Sequence, residues 1–214
     1  MRYEKEMLPI LTDYLLNNMG YSIIINEFDS GYGIADIVAT IDSQEYDYYP
    51  FNNLIDVFLL NSIPYNKRIL FEDIHKISPY SEKYLKYVVL KGFIEGGLLI
   101  EDDIGYRRIK RLSVHKNPIV AIEAKLTKWK KAFFQAIRYK KYADFCYVAI
   151  LERSLKNVDF DMFKEHNIGL LVVTPSYFVY PVIKAKRNNN KNTLFALYAN
   201  GVLFKNKNCM MICK

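Results

Sequence analysis

The tripeptide Glu123-Ala124-Lys125 closes an apolar run formed by residues 118–122. A segment this rich in Ile, Val and Ala is typical of a buried strand. Because strand side chains alternate between the two faces of a sheet, Glu123 and Lys125 should point the same way, with Ala124 opposite. Burying a carboxylate and an ammonium costs free energy unless each finds a partner. The pair therefore indicates a functional site at a strand end.

A second apolar segment, residues 34–41, contains one acid, Asp36. If the two strands are neighbours, Asp36 and Glu123 can share a hard cation such as Mg²⁺ or Mn²⁺. Such a metal lowers the pKa of a bound water and stabilises negative charge on a phosphoryl oxygen. Lys125 could orient that water or neutralise the developing charge. The three residues together predict a site for phosphodiester hydrolysis.

The helix predicted over 128–142 carries further candidates. Gln135 and Tyr139 are four residues apart and share a face, with Lys128 and Lys131 on roughly the same side. Gln135 could hydrogen-bond the water or a ligand, the lysines could bind backbone phosphates, and we expect Tyr139 to pack in the core. The segment 125–141 contains no Asp or Glu, and its seven basic residues match the formal net charge of +7. This block favours a polyanionic partner, and a solvated helix face is the alternative.

Between Asp36 and Glu123, a segment of the chain reads as a separate unit, which we call the insert (45–114). Its pattern predicts helices over 52–62, from 70, and over 82–93, with Ser81 as a possible N-cap, then strands over 98–101 and 106–111. This order is typical of a winged helix. Its candidate DNA-binding residues are Lys83 and Lys86 on the last helix and Arg107, Arg108 and Lys110 on the wing. Docking to another protein is the alternative role.

The remaining chain, 1–44 and 115–214, predicts one α/β domain. We expect helices over 3–18 and 160–166, and strands over 21–25, 145–151, 168–174, 177–183 and 193–204. Strands that alternate with helices indicate a sheet with some parallel pairs.

Composition excludes several classes of protein. No apolar run approaches the roughly 20 residues of a membrane span, and the N-terminus lacks the apolar stretch of a signal peptide. Three cysteines and three histidines without ligand spacing indicate neither a disulfide framework nor a zinc site. We therefore expect a cytoplasmic protein without a membrane partner.

These motifs resemble the PD-(D/E)xK nuclease superfamily, which has the restriction-endonuclease-like fold. The resemblance rests on Ala35-Asp36 with its apolar run, on residues 119–125, and on Gln135-xxx-Tyr139, which is similar to the glutamine motif of RecB-type nucleases. The helix–strand–turn–strand opening is similar to archaeal Holliday junction resolvases. The resemblance covers roughly 1–42 and 116–175. Two features depart from the family pattern: Ala35 replaces the proline, and the long spacing before Glu123 requires the insert.

The resemblance implies a mixed sheet flanked by helices, and the insert, read above as a winged helix-turn-helix, interrupts it. It implies that Asp36 and Glu123 bind Mg²⁺ or Mn²⁺, that Lys125 is catalytic and that Gln135 supports the site. A Glu on the first helix joins the metal site in several relatives, and Glu6 is the nearest candidate, with Glu4 as the alternative.

The expected function is that of a metal-dependent DNA endonuclease. Lys128, Lys131, Arg138 and the wing would bind the backbone of the DNA substrate. The alternatives are a catalytically inactive DNA-binding transcriptional regulator, or a protein-interaction subunit on a nuclease scaffold. Cleavage of both strands would favour a homodimer, because one such site cuts one strand.

Overall fold

The computed structural model describes residues 1, 3–42, 49, 51–114 and 116–212, with side chains to residue 205. The expected domain boundary at 44/45 lies outside the described residues, as do His115 and residues 213–214. None of the helices in the described ranges is long and apolar enough to cross a bilayer.

The described residues contain nine strands and eight α-helices, together with 3₁₀ turns at Glu4–Glu6 and Glu152–Asn157. The strands are β1 (Ile23–Asp29), β2 (Ile34–Thr40), β3 (Arg68–Ile69), β4 (Leu99–Asp102), β5 (Gly105–Arg108), β6 (Val120–Lys125), β7 (Phe145–Leu151), β8 (Gly169–Val173) and β9 (Val179–Ile183). The helices are α1 (Met7–Asn17), α2 (Leu54–Ser62), α3 (Phe71–Ile77), α4 (Glu82–Tyr84), α5 (Lys91–Glu95), α6 (Trp129–Tyr139), α7 (Phe160–Glu165) and α8 (Thr193–Ile212).

The main sheet has six strands in the order β1-β2-β6-β7-β8-β9. β6, β7 and β8 are parallel to one another, and the remaining neighbours pair antiparallel. Parallel strands need a crossover connection, which α6 supplies between β6 and β7 and α7 supplies between β7 and β8. The prediction of an α/β sheet with some parallel pairs is confirmed.

Helices cover both faces of this sheet. α1 buries Met7, Leu11 and Leu15 against one face, where Val120 and Ile122 of β6 also lie. α6, α7 and α8 cover the other face, where the core includes Ala121 of β6. Because both faces are buried, the central strands read as continuous apolar runs. Glu123 therefore points into the face that α6 covers.

Residues 51–108 of the insert form a second, smaller cluster of elements, whose core also includes Leu197 of α8. α2 begins after Asn53, whose side chain accepts a hydrogen bond from the Asp56 N–H at 2.9 Å. α4 and α5 are joined by a π-helical segment, Leu85–Leu90, so the helix predicted over 82–93 is present. Ser81 precedes α4, but its side chain makes no capping hydrogen bond.

The three strands of the insert form a sheet in the order β3-β5-β4. β4 and β5 are the predicted hairpin, and β3 was not predicted. A segment of two residues is too short to show the alternation that identifies a strand. β3 is defined by its pairing with β5, in which Arg68 lies opposite Arg107.

The strand predicted over 193–204 is wrong, because these residues belong to α8. The Asn192 side chain accepts hydrogen bonds from the backbone N–H groups of Leu194 and Phe195, at 3.0 and 3.4 Å, which caps the helix. Ala196, Ala199 and Leu203 are buried at helical spacing. A short apolar segment without clear periodicity does not distinguish strand from helix.

Asp144, which precedes β7, binds the polar segment 184–191 through ion pairs. Its side chain is 1% exposed, accepts a hydrogen bond from the Ile119 N–H at 2.9 Å, and pairs with Arg187 at 3.0 Å and Lys191 at 2.7 Å. A buried carboxylate needs such partners, so this contact holds the segment that leads into α8.

Candidate active site

Asp36 and Glu123 are brought together by the antiparallel pairing of β2 with β6. Ile37 pairs with Ile122 and Val38 with Ala121, so this register places Asp36 opposite Glu123. Residues that are far apart in sequence thus meet at the carboxyl end of β6, as the sequence predicts for neighbouring strands.

Lys125 lies at the centre of three carboxylates. Its Nζ is 2.9 Å from Glu123 Oε1, 3.1 Å from Glu4 Oε2 and 3.6 Å from Asp36 Oδ2, and it donates to the Ala124 carbonyl at 3.0 Å. We call Glu4, Asp36 and Glu123 the carboxylate cluster. Three carboxylates outnumber one ammonium, so the formal charge of the group is negative.

The charged side chains of the site differ in how far they are buried. The Glu123 side chain is 1% exposed and that of Lys125 is 11% exposed, whereas Glu4 and Asp36 are reached from solvent. Asp36 Oδ2 also accepts a hydrogen bond from the Ala124 N–H at 2.7 Å. This bond fixes the Asp36 carboxylate to the end of β6.

Tyr139 of α6 holds the other oxygen of Glu123. Its hydroxyl is hydrogen-bonded to Glu123 Oε2 and lies 2.7 Å from the Ile34 carbonyl oxygen. We expected Tyr139 to pack in the core, and it is buried there, but it also orients Glu123. Its four-residue spacing from Gln135 is the sequence signal that could have assigned it to the site.

Burial and neighbouring charges shift the pKa values of these groups. Burial raises the pKa of Glu123, and the negative charge of Asp36 adds to this, against the hydrogen bonds from Tyr139 and Lys125. For Lys125, burial lowers the pKa, but the hydrogen bond to Glu123 and the surrounding carboxylates outweigh it and raise the pKa to about 12. Lys125 is therefore an ammonium at neutral pH and acts by its charge.

The first turn of the chain contributes Glu4 to the cluster, which was the second choice from the sequence. Glu6, the first choice, is exposed in the same 3₁₀ turn. Register in a short 3₁₀ turn depends on how the turn meets the sheet, so sequence spacing alone does not decide between the two residues.

Gln135 lies one turn before Tyr139 on α6. The residue is half-buried, and its Oε1 atom is buried without a hydrogen-bond partner among the described residues. Lys128, which immediately precedes α6, and Lys131, which lies on it, are both exposed. Arg138 is also exposed, and its guanidinium lies against Gly33 in the β1–β2 turn.

The basic candidates in the insert differ in accessibility. Lys83 and Lys86 are exposed, whereas Arg107, Arg108 and Lys110 are half-buried. The Arg108 guanidinium donates to the Leu60 carbonyl at 3.0 Å, and burial lowers the pKa of Arg108. Arg108 is thus already engaged within the insert.

The donor atoms of the carboxylate cluster are all oxygens, which is the set that Mg²⁺ and Mn²⁺ prefer. Within the described part of the chain, no three His, Cys, Asp or Glu side chains are arranged to hold a metal ion. The cation between these carboxylates is the Lys125 ammonium, so a metal would bind as Lys125 moves aside.

No protein-family model, curated protein or solved structure matches the chain.

Proposed function

We propose that this protein is a metal-dependent DNA endonuclease with a restriction-endonuclease-like core. One observation carries the proposal: Glu4, Asp36 and Glu123 converge on the Lys125 ammonium at the carboxyl end of β6. A negatively charged, partly buried group of carboxylates is costly as a purely structural feature. The cost is consistent with a site that binds a cation and a phosphodiester.

In this proposal Asp36 and Glu123 hold Mg²⁺ or Mn²⁺, with Glu4 as a further ligand. When bound, the metal would supply a water of lowered pKa and stabilise charge on the phosphoryl oxygens. Tyr139 keeps the Glu123 carboxylate in position through its hydroxyl. Gln135 offers its unpartnered amide oxygen to a water or ligand.

Lys125 contributes a permanent positive charge. Its raised pKa keeps it protonated across the neutral range, so it does not act as a general base. An ammonium beside the scissile phosphate stabilises the negative charge that develops in the transition state. Removing one such group from an enzyme site typically costs about 10²- to 10³-fold in rate.

We further propose that the insert is a winged helix that contacts DNA. The element order α2-β3-α3-α4-α5-β4-β5 and the sheet order β3-β5-β4 support this assignment. Lys83 and Lys86 are exposed on the helical segment that would face the DNA. Asp102 and Asp103 lie at the β4–β5 turn, which makes the helix a better candidate than the hairpin tip for phosphate contacts.

A cleavage assay tests the proposal. The purified protein is incubated with plasmid, single-stranded and branched DNA in Mg²⁺, in Mn²⁺ and in a chelator, beside Lys125→Ala. We expect metal-dependent cleavage that Lys125→Ala reduces by about 10²-fold or more. Lys164→Ala is the matched control, because Lys164 is an exposed lysine paired with Asp161, and it should cleave like the wild type.

Two readouts separate the outcomes. Thermal unfolding of Lys125→Ala establishes that a loss of cleavage is not a loss of folding. DNA binding without cleavage by any of the three proteins would refute the nuclease proposal and favour the inactive DNA-binding regulator.

A further inference from the structure

A cavity of about 400 Å³ lies on the α1 face of the sheet, at the opposite end from the carboxylate cluster. Phe145, which begins β7, lines it and pairs with Val120 at the start of β6. Lys125 stands at the other end of β6, on the side of α6. The cavity is therefore separate from the candidate active site, and we call it the tyrosine cavity.

Four of the nine residues that line this cavity are aromatic. Tyr14, Tyr21, Phe145 and Tyr147 line it, with Lys184 at its edge. Its volume falls in the range of about 300–1,000 Å³ that is usual for small-molecule sites. Aromatic rings offer flat apolar faces to a planar ligand, and the exposed Lys184 offers a positive charge.

Tyr21 carries the observation that points to a ligand. The residue is 5% exposed, and its hydroxyl has no hydrogen-bond partner among the described residues. Because Tyr21 lines the cavity, a polar group of a bound molecule could accept its hydrogen bond.

The ring of Tyr147 is placed by a glycine. A Cβ atom at Gly169 would come within 2.2 Å of two ring carbons of Tyr147, so the ring packs directly on β8 at a point where a side chain is not tolerated. Tyr147 is itself buried. This close packing gives the cavity a rigid aromatic wall.

We propose that the tyrosine cavity binds a nucleotide, with the base among the tyrosine rings and the phosphate at Lys184. A nucleotide has a planar base, a hydrogen-bonding edge on that base and an anionic phosphate. These three features match the flat aromatic walls of the cavity, the unpartnered Tyr21 hydroxyl and the lysine at its edge. The same chemistry is offered by a free nucleoside monophosphate and by the phosphorylated end of a DNA strand.

Isothermal titration calorimetry tests this with dAMP, dTMP, thymidine and inorganic phosphate as probes. We expect both nucleotides to bind and to bind more tightly than thymidine or phosphate alone. Lys184→Ala should weaken dTMP binding about tenfold, a loss typical of one charged hydrogen bond, and leave thymidine binding unchanged. Tyr21→Phe should weaken both, because it removes the hydroxyl and keeps the ring.

Lys186→Ala is the matched control, since Lys186 is an exposed lysine two residues from Lys184, and its binding should equal that of the wild type. Absence of binding by both nucleotides at millimolar concentration would overturn the proposal. It would equally fail if phosphate alone bound as tightly as dTMP, or if Lys184→Ala and Lys186→Ala had equal effects.

A 5′-phosphorylated single-stranded oligonucleotide distinguishes the two sources. Measured in a chelator, tighter binding of this oligonucleotide than of the same strand with a 5′-hydroxyl end, with the difference lost in Lys184→Ala, assigns the cavity to a strand end. Equal binding of the two strands, with dTMP binding that Lys184→Ala weakens, assigns the cavity to a free nucleotide. Neither result depends on the nuclease proposal, because Lys125 and the carboxylate cluster do not line the tyrosine cavity.

Discussion

Divalent metal should stabilise the folded protein through the carboxylate cluster. Three carboxylates surround one ammonium, so the folded state holds a negative site that the unfolded chain lacks. A ligand that binds only the folded state stabilises it by RT ln(1 + [L]/Kd). Raising Mg²⁺ tenfold above its dissociation constant therefore adds about 1.4 kcal/mol, whatever that constant is.

For a chain of 214 residues, about 1.4 kcal/mol corresponds to a rise in Tm of about 3–6 °C for each tenfold increase in metal. The assay is thermal unfolding followed by circular dichroism in a series of MgCl₂ or MnCl₂ concentrations, with ionic strength held constant by KCl. Constant ionic strength is necessary because salt alone screens the charges of the cluster.

Three variants identify the site. Asp36→Asn should abolish the metal-dependent rise, because the amide keeps the shape and can still accept the Ala124 N–H but removes one anionic ligand. Glu95→Gln, an exposed position paired with Lys91, should behave like the wild type. At the same metal concentration, Lys125→Ala should show a larger rise than the wild type, because without the competing ammonium the metal binds with a lower dissociation constant.

The reasoning would be refuted by equal slopes in the wild type and Asp36→Asn, or by a flat response to both metals. A smaller rise in Lys125→Ala than in the wild type would show that the ammonium does not occupy the place of the metal.

Three further predictions concern the rest of the chain. Asp144→Ala should destabilise the protein by about 1–3 kcal/mol in urea unfolding, because the buried Ile119 N–H loses its acceptor. An equal cost for Asp144→Asn, whose amide oxygen can still accept that hydrogen bond, would contradict this reason. Burial raises the pKa of Cys146 from 9.0 to about 12, so the stability it contributes is present below pH 9 and lost as the pH rises towards 12. With the other two cysteines changed to Ser, the native thiol should resist alkylation at pH 8 and react once unfolded, and rapid reaction of the native protein would contradict the burial. A Lys83→Ala, Lys86→Ala double variant should lower the slope of log K for DNA against log salt by about two units, whereas an unchanged slope, equal to that of Lys164→Ala, would place phosphate contacts elsewhere.

The central strands could be predicted from sequence because burial on both faces leaves a continuous apolar run. β7, predicted over 145–151, has those bounds in the structure, and β2 and β6 lie close to their predicted places. The strand prediction for the C-terminal segment was wrong for a related reason. Residues 193–204 pack between the main core and the insert, so they are apolar on more than one side and their helical period is obscured.

Part of the candidate site could likewise be predicted from the sequence. Alternation along a strand identified Glu123 and Lys125 as a pair, and the apolar context of Asp36 made it their partner. Helical spacing placed Gln135 and Tyr139 on one face. These relations are local, and local geometry follows from residue order.

The sequence by itself therefore determined which segments form the sheet and which side chains share a face. Only the tertiary structure decided that Glu4 reaches Lys125, that Tyr139 holds Glu123, and that Arg108 is engaged at Leu60. The tyrosine cavity likewise exists only where Tyr21, Tyr147 and Lys184 meet. Such contacts join residues distant along the chain, and their distances depend on how whole elements pack, which no periodicity within one element encodes.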